Sequence, residues 1–127
     1  MGLISAMLGN ASEIDPQRIE KEFENLLIEG EEIRNAYKMF RDLIVFTNYR
    51  LFLVDKQGIT GKKREYLCVP YDSIDYFSKE TAGTVDIDAE IKIWIKSREA
   101  PFEIEFRKDD QVHDVFRTLS HFALKVG

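Results

Sequence analysis

The alternation of apolar and polar residues divides the chain into a helical start, a long β-rich middle and a helical end. Two segments in the second half alternate most regularly. Their apolar positions are Ile91, Ile93 and Ile95 in one segment, and Phe102, Ile104 and Phe106 in the other. Successive side chains of a strand point to opposite faces, so this period of two predicts two strands with one buried face each. Residues 97–101 between them are predicted to form the connecting turn.

Five further segments have the composition of strands, and they lie at residues 33–40, 43–47, 51–54, 65–69 and 74–79. Asn48 and Tyr49 are predicted to join the second and third as a hairpin, because Asn tolerates left-handed backbone. Pro70 after the fourth segment fits a strand end or a sheet edge. Seven strands at regular spacing favour a mainly β sandwich or barrel of antiparallel hairpins.

Two segments show helical spacing instead. The first is predicted to begin at Asp15, a good N-cap, followed by Pro16, and to end before Gly30. Its apolar stripe consists of Ile19, Phe23, Leu26 and Leu27. The second is predicted to begin near Asp109, and its stripe consists of Val112, Val115, Phe116, Leu119, Phe122 and Val126. A stripe this apolar must pack on something, so we expect this helix to cap the open end of the strands.

Length and composition indicate one soluble domain. The chain has 127 residues, of which 44% are hydrophobic and 32% are charged, values typical of a folded globular protein. We predict a single domain over residues 15–127. Residues 1–14 are predicted to be a flexible segment, with an amphipathic contact to a membrane or another subunit as the alternative. The single cysteine, Cys68, excludes an internal disulfide and favours a cytoplasmic location.

Charge is unevenly distributed along the chain. The net charge is -5, yet residues 34–71 contain eight bases and three acids. The overall sign does not favour nucleic acid as a partner. The basic middle offers a candidate anion-binding site, at Lys56, Lys62, Lys63 and Arg64. The alternative for these residues is a solvated charged loop without a ligand.

Candidate catalytic and metal-binding residues are few. His113 and His121 are eight residues apart in the predicted second helix and form no recognised metal motif. We interpret both as surface or helix-packing residues. Cys68 lies inside a predicted strand and is interpreted as a buried, unreactive thiol. The sequence therefore predicts no catalytic residues, no metal site and no cofactor, and we expect the protein not to be an enzyme.

Trp94 is a candidate interface residue. If the alternating isoleucines point inward, Trp94 points outward between Lys92 and Lys96. An outward Trp flanked by bases fits a contact with another molecule, such as a second subunit. Simple local packing is the alternative.

Several segments, in the same order along nearly the whole chain, resemble the bacterial pleckstrin-homology (PH) domain family. They are RDLIVFTN at residues 41–48, DKQGITGKK at 55–63, PYDSI at 70–74, ETAG at 80–83 and DIDAEIKIW at 86–94. The resemblance implies a PH-like fold, in which two nearly orthogonal antiparallel sheets of seven strands in all are capped by a C-terminal helix. It also implies a non-enzymatic role and a tendency to form ring-like homo-oligomers.

The lipid-binding feature of eukaryotic PH domains is not present. Those domains bind phosphoinositides through a basic loop between the first two strands, but the corresponding residues 40–43 contain one base and one acid. We therefore expect a PH-like interaction module that acts through homo-oligomerisation, in a ring. Binding of anionic lipid headgroups or another anion through residues 56–64 is the alternative, and membrane association has no lipid-binding motif to support it.

Overall fold

The structure, a computed structural model, describes residues 12–38, 43–57, 63–81, 89–106 and 111–124. These residues form eight strands, two α-helices and two 3₁₀ turns. In chain order the elements are β1 (Ser12–Ile14), a 3₁₀ turn (Pro16–Arg18), α1 (Glu20–Phe23), β2 (Ile33–Lys38), β3 (Leu43–Thr47), β4 (Arg50–Gln57), β5 (Lys63–Pro70), a second 3₁₀ turn (Tyr71–Ser73), β6 (Ile74–Thr81), β7 (Ala89–Ile95), β8 (Phe102–Phe106) and α2 (Val112–Leu124).

The strands form two antiparallel sheets. The first sheet has the order β1-β2-β3-β4-β5, and the second has the order β6-β7-β8. The predicted fold, mainly β with a C-terminal helix, is confirmed. β1 adds an eighth strand within the segment predicted to be flexible, because Ser12–Ile14 pair with residues 36–38 of β2. The edge of β2 offers backbone hydrogen-bonding groups that three extended residues can satisfy.

The two sheets do not close into a barrel. The chain leaves β5 at Pro70 and enters β6 through the 3₁₀ turn Tyr71–Ser73, and β5 and β6 share no ladder. Pro70 has no N–H to donate and is the last residue of β5 in the ladder with β4, where it is paired with Arg50. Pro70 thus ends an edge strand, as its position predicts.

Hydrophobic side chains pack on both faces of the first sheet. Between the two sheets and beneath α2 lies one cluster, which includes Tyr37, Phe46, Leu51, Ile91, Ile93, Phe106, Val115 and Leu119. The opposite face of the first sheet carries a second cluster, which includes Ile19, Phe23, Ala36, Leu43, Val45, Phe52 and Val54. β3 is buried along its whole length because it lies at the centre of this sheet and contributes to both clusters.

The N-terminal segment covers the second cluster, but it is not the single helix that its spacing predicts. Asp15 caps its start as predicted, since the carboxylate accepts the Gln17 N–H at 3.0 Å. The chain then forms a 3₁₀ turn and the four-residue α1, and it turns again after Phe23. A helix this short is marginal by itself. Packing of Phe23 and its apolar neighbours against the first sheet therefore decides the path of the backbone.

The hairpin between β3 and β4 turns at Asn48 and Tyr49, as predicted, but for a different reason. Of the non-glycine residues that the structure describes, Ser97 alone has a positive φ, at 71°. Asn48 acts through its side chain instead: Oδ1 accepts the Glu32 N–H at 2.8 Å, and Nδ2 donates to the Gly30 carbonyl at 2.9 Å. These two hydrogen bonds hold the turn against residues 30–32. Gly30 in that segment has a positive φ of 84°.

A buried ion pair joins the same two segments. The Glu31 side chain is fully buried and accepts two hydrogen bonds from Arg50, each 2.9 Å long. The Thr47 hydroxyl and the Ile28 N–H donate to the same carboxylate at 2.7 Å and 3.0 Å. Burial by itself raises the pKa of Glu31, but these donors and the charge of Arg50 outweigh it and hold the pKa below its usual value.

Arg50 also links this pair to two other parts of the fold. It donates to the Leu26 carbonyl at 2.8 Å and to the Cys68 Sγ at 3.0 Å, and it lies 4.6 Å from the centre of the Phe52 ring. Cys68 is half-buried rather than buried, because it lies on the edge strand β5 beside this guanidinium. The network therefore fastens residues 26–31 to β4 and β5.

Candidate interaction surfaces

The outer face of the second sheet carries an exposed pair of aromatic rings. Ile91 and Ile93 of β7 point into the core, with 0% and 2% of their surface exposed, so Trp94 lies on the opposite face, as predicted. Tyr76 is its direct partner across the strands. The two rings stack with centroids 4.6 Å apart and planes 17° apart, and Tyr76 is 56% exposed.

The two lysines beside Trp94 occupy different positions. Lys92 lies on the outer face, where its Nζ is 3.8 Å from a Glu80 oxygen and 3.9 Å from a Glu90 oxygen. Lys96 lies one residue beyond the end of β7 and is exposed, and its backbone N–H donates to the Ser73 carbonyl at 2.8 Å. The structure therefore places Lys92 beside carboxylates and Lys96 in the turn. The interface role of all three residues stays a prediction.

A row of glutamates crosses the same face. Glu80 pairs directly with Glu90, and Glu90 pairs with Glu105, so three carboxylates lie side by side across three strands. Partial burial raises the pKa of Glu90, and the negative charge of Glu103 raises it further. Glu80 and Glu105 also raise this pKa, whereas the positive charge of Lys92 lowers it. The sequence does not predict this row of glutamates, because the row depends on the strand register, which the order of residues along the chain does not reveal.

The predicted anion-binding residues lie at the far ends of β4 and β5. Lys56 pairs with Arg64 across the strands, and Lys63 pairs with Gln57; Lys62 lies outside the described residues. Arg64 Nη1 contacts the Glu22 carboxylate, which also accepts the Tyr66 hydroxyl at 2.6 Å. Burial lowers the pKa of Arg64, but Glu22 and Tyr66 outweigh that effect and raise it. The arginine is therefore already engaged with an anion of its own chain.

A polar groove of about 660 Å³ lies between β2 and α2. At the groove, the Tyr37 hydroxyl is 3.0 Å from the Thr118 Oγ1. Burial raises the pKa of Tyr37, and the negative charges of Glu13 and Asp114 raise it further. The hydrogen bond with Thr118 lowers this pKa but does not outweigh the other effects. The helix contributes a set of polar side chains spaced three or four residues apart, namely Asp114, Arg117, Thr118 and His121. This spacing is the signal by which the sequence could have revealed the groove.

Each histidine of the chain has a neighbour that the structure describes. His113 Nδ1 lies 2.8 Å from the Lys79 Nζ, and His121 packs edge-on against Phe122 with ring centroids 5.1 Å apart. Within the described ranges, no three or more His, Cys, Asp or Glu side chains are placed to hold a metal ion together. Among those same residues, no helix is long and apolar enough to cross a membrane.

Two antiparallel sheets packed with a C-terminal helix define a PH-like domain, and comparison with known proteins gives the family. The model of the bacterial PH domain family matches residues 2–123, and this chain belongs to that family. The resemblance predicted from the sequence motifs is thereby confirmed.

Relatives and solved structures agree with this assignment. The chain is 50% identical over 121 residues to YjqA, an uncharacterised protein of Bacillus subtilis, covering 94% of this chain and 97% of the relative. A DUF1696 family protein with a pleckstrin-homology domain from Shewanella loihica has a TM-score of 0.81 at 43% identity, covering 91% of this chain and 98% of that one. A pleckstrin homology domain from Shewanella amazonensis has a TM-score of 0.81 at 44% identity, covering 98% and 99%.

Proposed function

We propose that this bacterial PH domain is a non-enzymatic interaction module that works in the cytoplasm by associating with copies of itself in a ring. The observation that carries the proposal is the stacked pair of Tyr76 and Trp94 on the outer face of the second sheet. More than half of the Tyr76 surface is exposed there. Tyr and Trp are enriched among the residues that contribute most to protein interfaces, because a large rigid ring loses little entropy on binding.

The position of the pair also supports a contact role. The inner face of the second sheet is occupied by the core, so stability of the fold does not require two large rings on the outer face. Stacking of one ring on the other contributes about 0.5–1.5 kcal/mol to the sheet, but it leaves one ring surface open to solvent. A second subunit would bury that surface.

We expect the protein to elute as an assembly whose mass, measured by light scattering after size exclusion, is a multiple of the 14.8 kDa of one chain. The double substitution Tyr76→Ala and Trp94→Ala should shift it to the mass of one chain. Truncation of an interface hot spot costs about 2 kcal/mol or more, which is roughly a thirtyfold loss in affinity per residue.

The matched control is Tyr49→Ala, which removes an exposed tyrosine from the hairpin between β3 and β4. This variant should keep the mass of the unmodified protein. A single-chain mass for the unmodified protein at micromolar concentration contradicts the proposal. So does an unchanged assembly in the double variant, provided that its circular dichroism shows an intact fold.

Binding of an anionic lipid headgroup or another anion at the basic segment is the second candidate function. The backbone register that pairs Lys56 with Arg64 favours it, because it places two basic positions next to each other on neighbouring strands. The contact of Arg64 with Glu22 weakens it, because the guanidinium is already paired. Self-association is therefore the better supported of the two.

Sedimentation with vesicles separates the two functions. We expect no difference between vesicles of phosphatidylcholine alone and vesicles that also contain phosphatidylserine, at low or high salt. Electrostatic attraction to an anionic surface is screened by salt. Salt-sensitive binding to the anionic vesicles, abolished by Lys56→Glu with Lys63→Glu but kept by Lys21→Glu with Lys38→Glu, would favour the lipid function instead.

A further inference from the structure

The polar groove between β2 and α2 has the size of a small-ligand site. Its volume of about 660 Å³ lies within the range of about 300–1,000 Å³ that is usual for such sites. Tyr37 is buried and Thr118 is half-buried, whereas every charged residue that lines the groove is exposed. The two hydroxyls, 3.0 Å apart, therefore form the floor of the groove, and the charged side chains form its rim.

The negative charges of the rim flank one part of this floor. Glu13 of β1 is the cross-strand partner of Tyr37, and Asn35 Nδ2 donates to its carboxylate at 3.3 Å. Asp114 precedes Thr118 by four residues of α2, which is about one helical turn. Within the described ranges, Asp114 forms no ion pair with a basic side chain. This part of the groove, the acidic end, can therefore accept hydrogen bonds from a cationic group.

Basic side chains lie at the opposite end. The Phe122 ring stacks on Phe46 with centroids 5.7 Å apart, and Phe46 is the cross-strand partner of Asn35. The last turns of α2 therefore lie near the start of β2. Arg34 and His121, each one residue before a member of this contact, line the groove here. This part of the groove is the basic end, where both side chains offer N–H donors to an anionic group.

A β-bulge turns Arg34 toward the groove. The register shifts by one residue between Ile33 and Asn35, so Arg34 is the extra residue of β2. In a regular strand Arg34 would point to the face opposite Asn35, but a bulge redirects a side chain, and both residues line the groove. Arg34 also lies 3.6 Å from a Glu32 oxygen, in an exposed pair of the kind that contributes little. Its guanidinium can therefore exchange this partner for a ligand.

The separation of the two ends matches the length of a short peptide. Asp114 and His121 are seven residues apart in α2, which at about 1.5 Å per residue is about 10 Å. An extended peptide covers about 3.3–3.6 Å per residue, so about three residues cover the same distance. Arg117 lies between the ends on the helix side of the groove, and among the described residues it has no acidic partner. It can donate to the carbonyl oxygens of such a peptide.

We infer that the groove binds a short zwitterionic peptide of about three residues, with its terminal ammonium at the acidic end and its terminal carboxylate at the basic end. Charges of opposite sign at the two ends favour a ligand that carries both charges at this separation. A single amino acid carries both charges too close together to reach both ends, and a simple anion pairs only with the basic end. The groove is distinct from the aromatic pair of the second sheet, so this binding does not depend on self-association.

Titration of the isotope-labelled protein with trialanine, followed by nuclear magnetic resonance, tests the ligand. We expect trialanine to shift the backbone amide signals of residues along the groove, such as Asn35 and Thr118. N-acetyl-trialanine and trialanine amide each lack one terminal charge, and each should bind about tenfold more weakly, because one charge-assisted hydrogen bond is lost. Alanine, which is too short to reach both ends, should also bind about tenfold more weakly.

Two substitutions test the orientation of the peptide. Asp114→Asn should weaken the binding of trialanine by about tenfold and leave the binding of N-acetyl-trialanine unchanged, since that ligand has no ammonium to lose a partner. Arg34→Gln should weaken the binding of trialanine similarly and leave the binding of trialanine amide unchanged. Arg18→Gln and Glu24→Gln change exposed charges outside the groove and are the matched controls, which should bind trialanine as the unmodified protein does.

The possible outcomes either support or overturn this inference. An absence of signal shifts with trialanine at up to about 10 mM overturns it. N-acetyl-trialanine that binds as well as trialanine would indicate a site for anions only, and alanine that binds equally well would contradict the length match. Either result overturns the inference. The amide spectrum of each variant also reports its fold, so a loss of binding is distinguished from a loss of structure.

Discussion

Arg50→Ala should lower the free energy of unfolding by about 3–5 kcal/mol, because removal of one partner leaves a buried charge uncompensated. The Glu31 side chain has no exposed surface, and Arg50 supplies two of its hydrogen bonds. The substitution also removes the donors to the Leu26 carbonyl and to Cys68 Sγ. Urea unfolding followed by circular dichroism measures the loss.

Arg34→Ala is the matched control for this prediction. Arg34 forms an ion pair with Glu32 at 3.6 Å, but both side chains are more than half exposed, and exposed pairs contribute about 0–1 kcal/mol. If both substitutions lower the stability by the same small amount, the ion pair of Glu31 and Arg50 does not hold residues 26–31 to β4 as described.

The same ion pair predicts an acid transition. The pKa of Glu31 in the folded protein lies below the ordinary glutamate value of 4.5. The stability that this group contributes is therefore fully present above pH 4.5, and it is lost as the pH falls through that value toward the lower pKa of the folded state. Glu31→Gln should be less stable than the unmodified protein at neutral pH and should lose less stability on acidification. An identical pH dependence in both proteins would contradict the assignment.

Phe23→Ala should lower the free energy of unfolding by about 3–5 kcal/mol, the usual cost of truncating a buried phenylalanine. Phe23 is fully buried, and its ring meets Phe52 and Tyr66 edge-on, with centroids 5.2 Å and 5.7 Å away. Its loss opens a cavity beneath the N-terminal segment, on the far face of the first sheet. Thermal unfolding measures the change.

Leu124→Ala is the control, because this residue of α2 is 59% exposed and its truncation should change stability by less than about 0.5 kcal/mol. A Phe23→Ala variant as stable as this control would mean that the N-terminal segment is not part of the cooperative fold.

The alternation of apolar and polar residues predicts the direction of side chains correctly in a strand that has one face toward the core. The alternation at Ile91 and Ile93 placed Trp94 on the outer face correctly, because the direction of side chains along a strand follows from the backbone alone. The N-terminal helix was predicted less well. Its apolar residues pack as expected, but the length of the helix depends on the sheet that it covers.

The outer face of the second sheet could likewise be predicted only in part from the sequence. The sequence contains every glutamate of the outer face and every base of residues 56–64, but spacing along the chain does not show that Glu80, Glu90 and Glu105 are neighbours. Likewise, the partner of Trp94 lies eighteen residues earlier, at Tyr76. Strand pairing brings these residues together, and pairing is a property of the whole sheet.

The sequence by itself determined the mainly β class, the C-terminal helix, the uneven charge and the family, since these follow from local periodicity, composition and motifs. Tertiary structure decided that the sheets stay open at Pro70, that Arg50 pairs with Glu31 and that Arg64 pairs with Glu22. It also decided which charges share the outer face of the second sheet. The physical reason is that each of these features depends on contacts between residues far apart in the chain, whose proximity is set by packing and strand register.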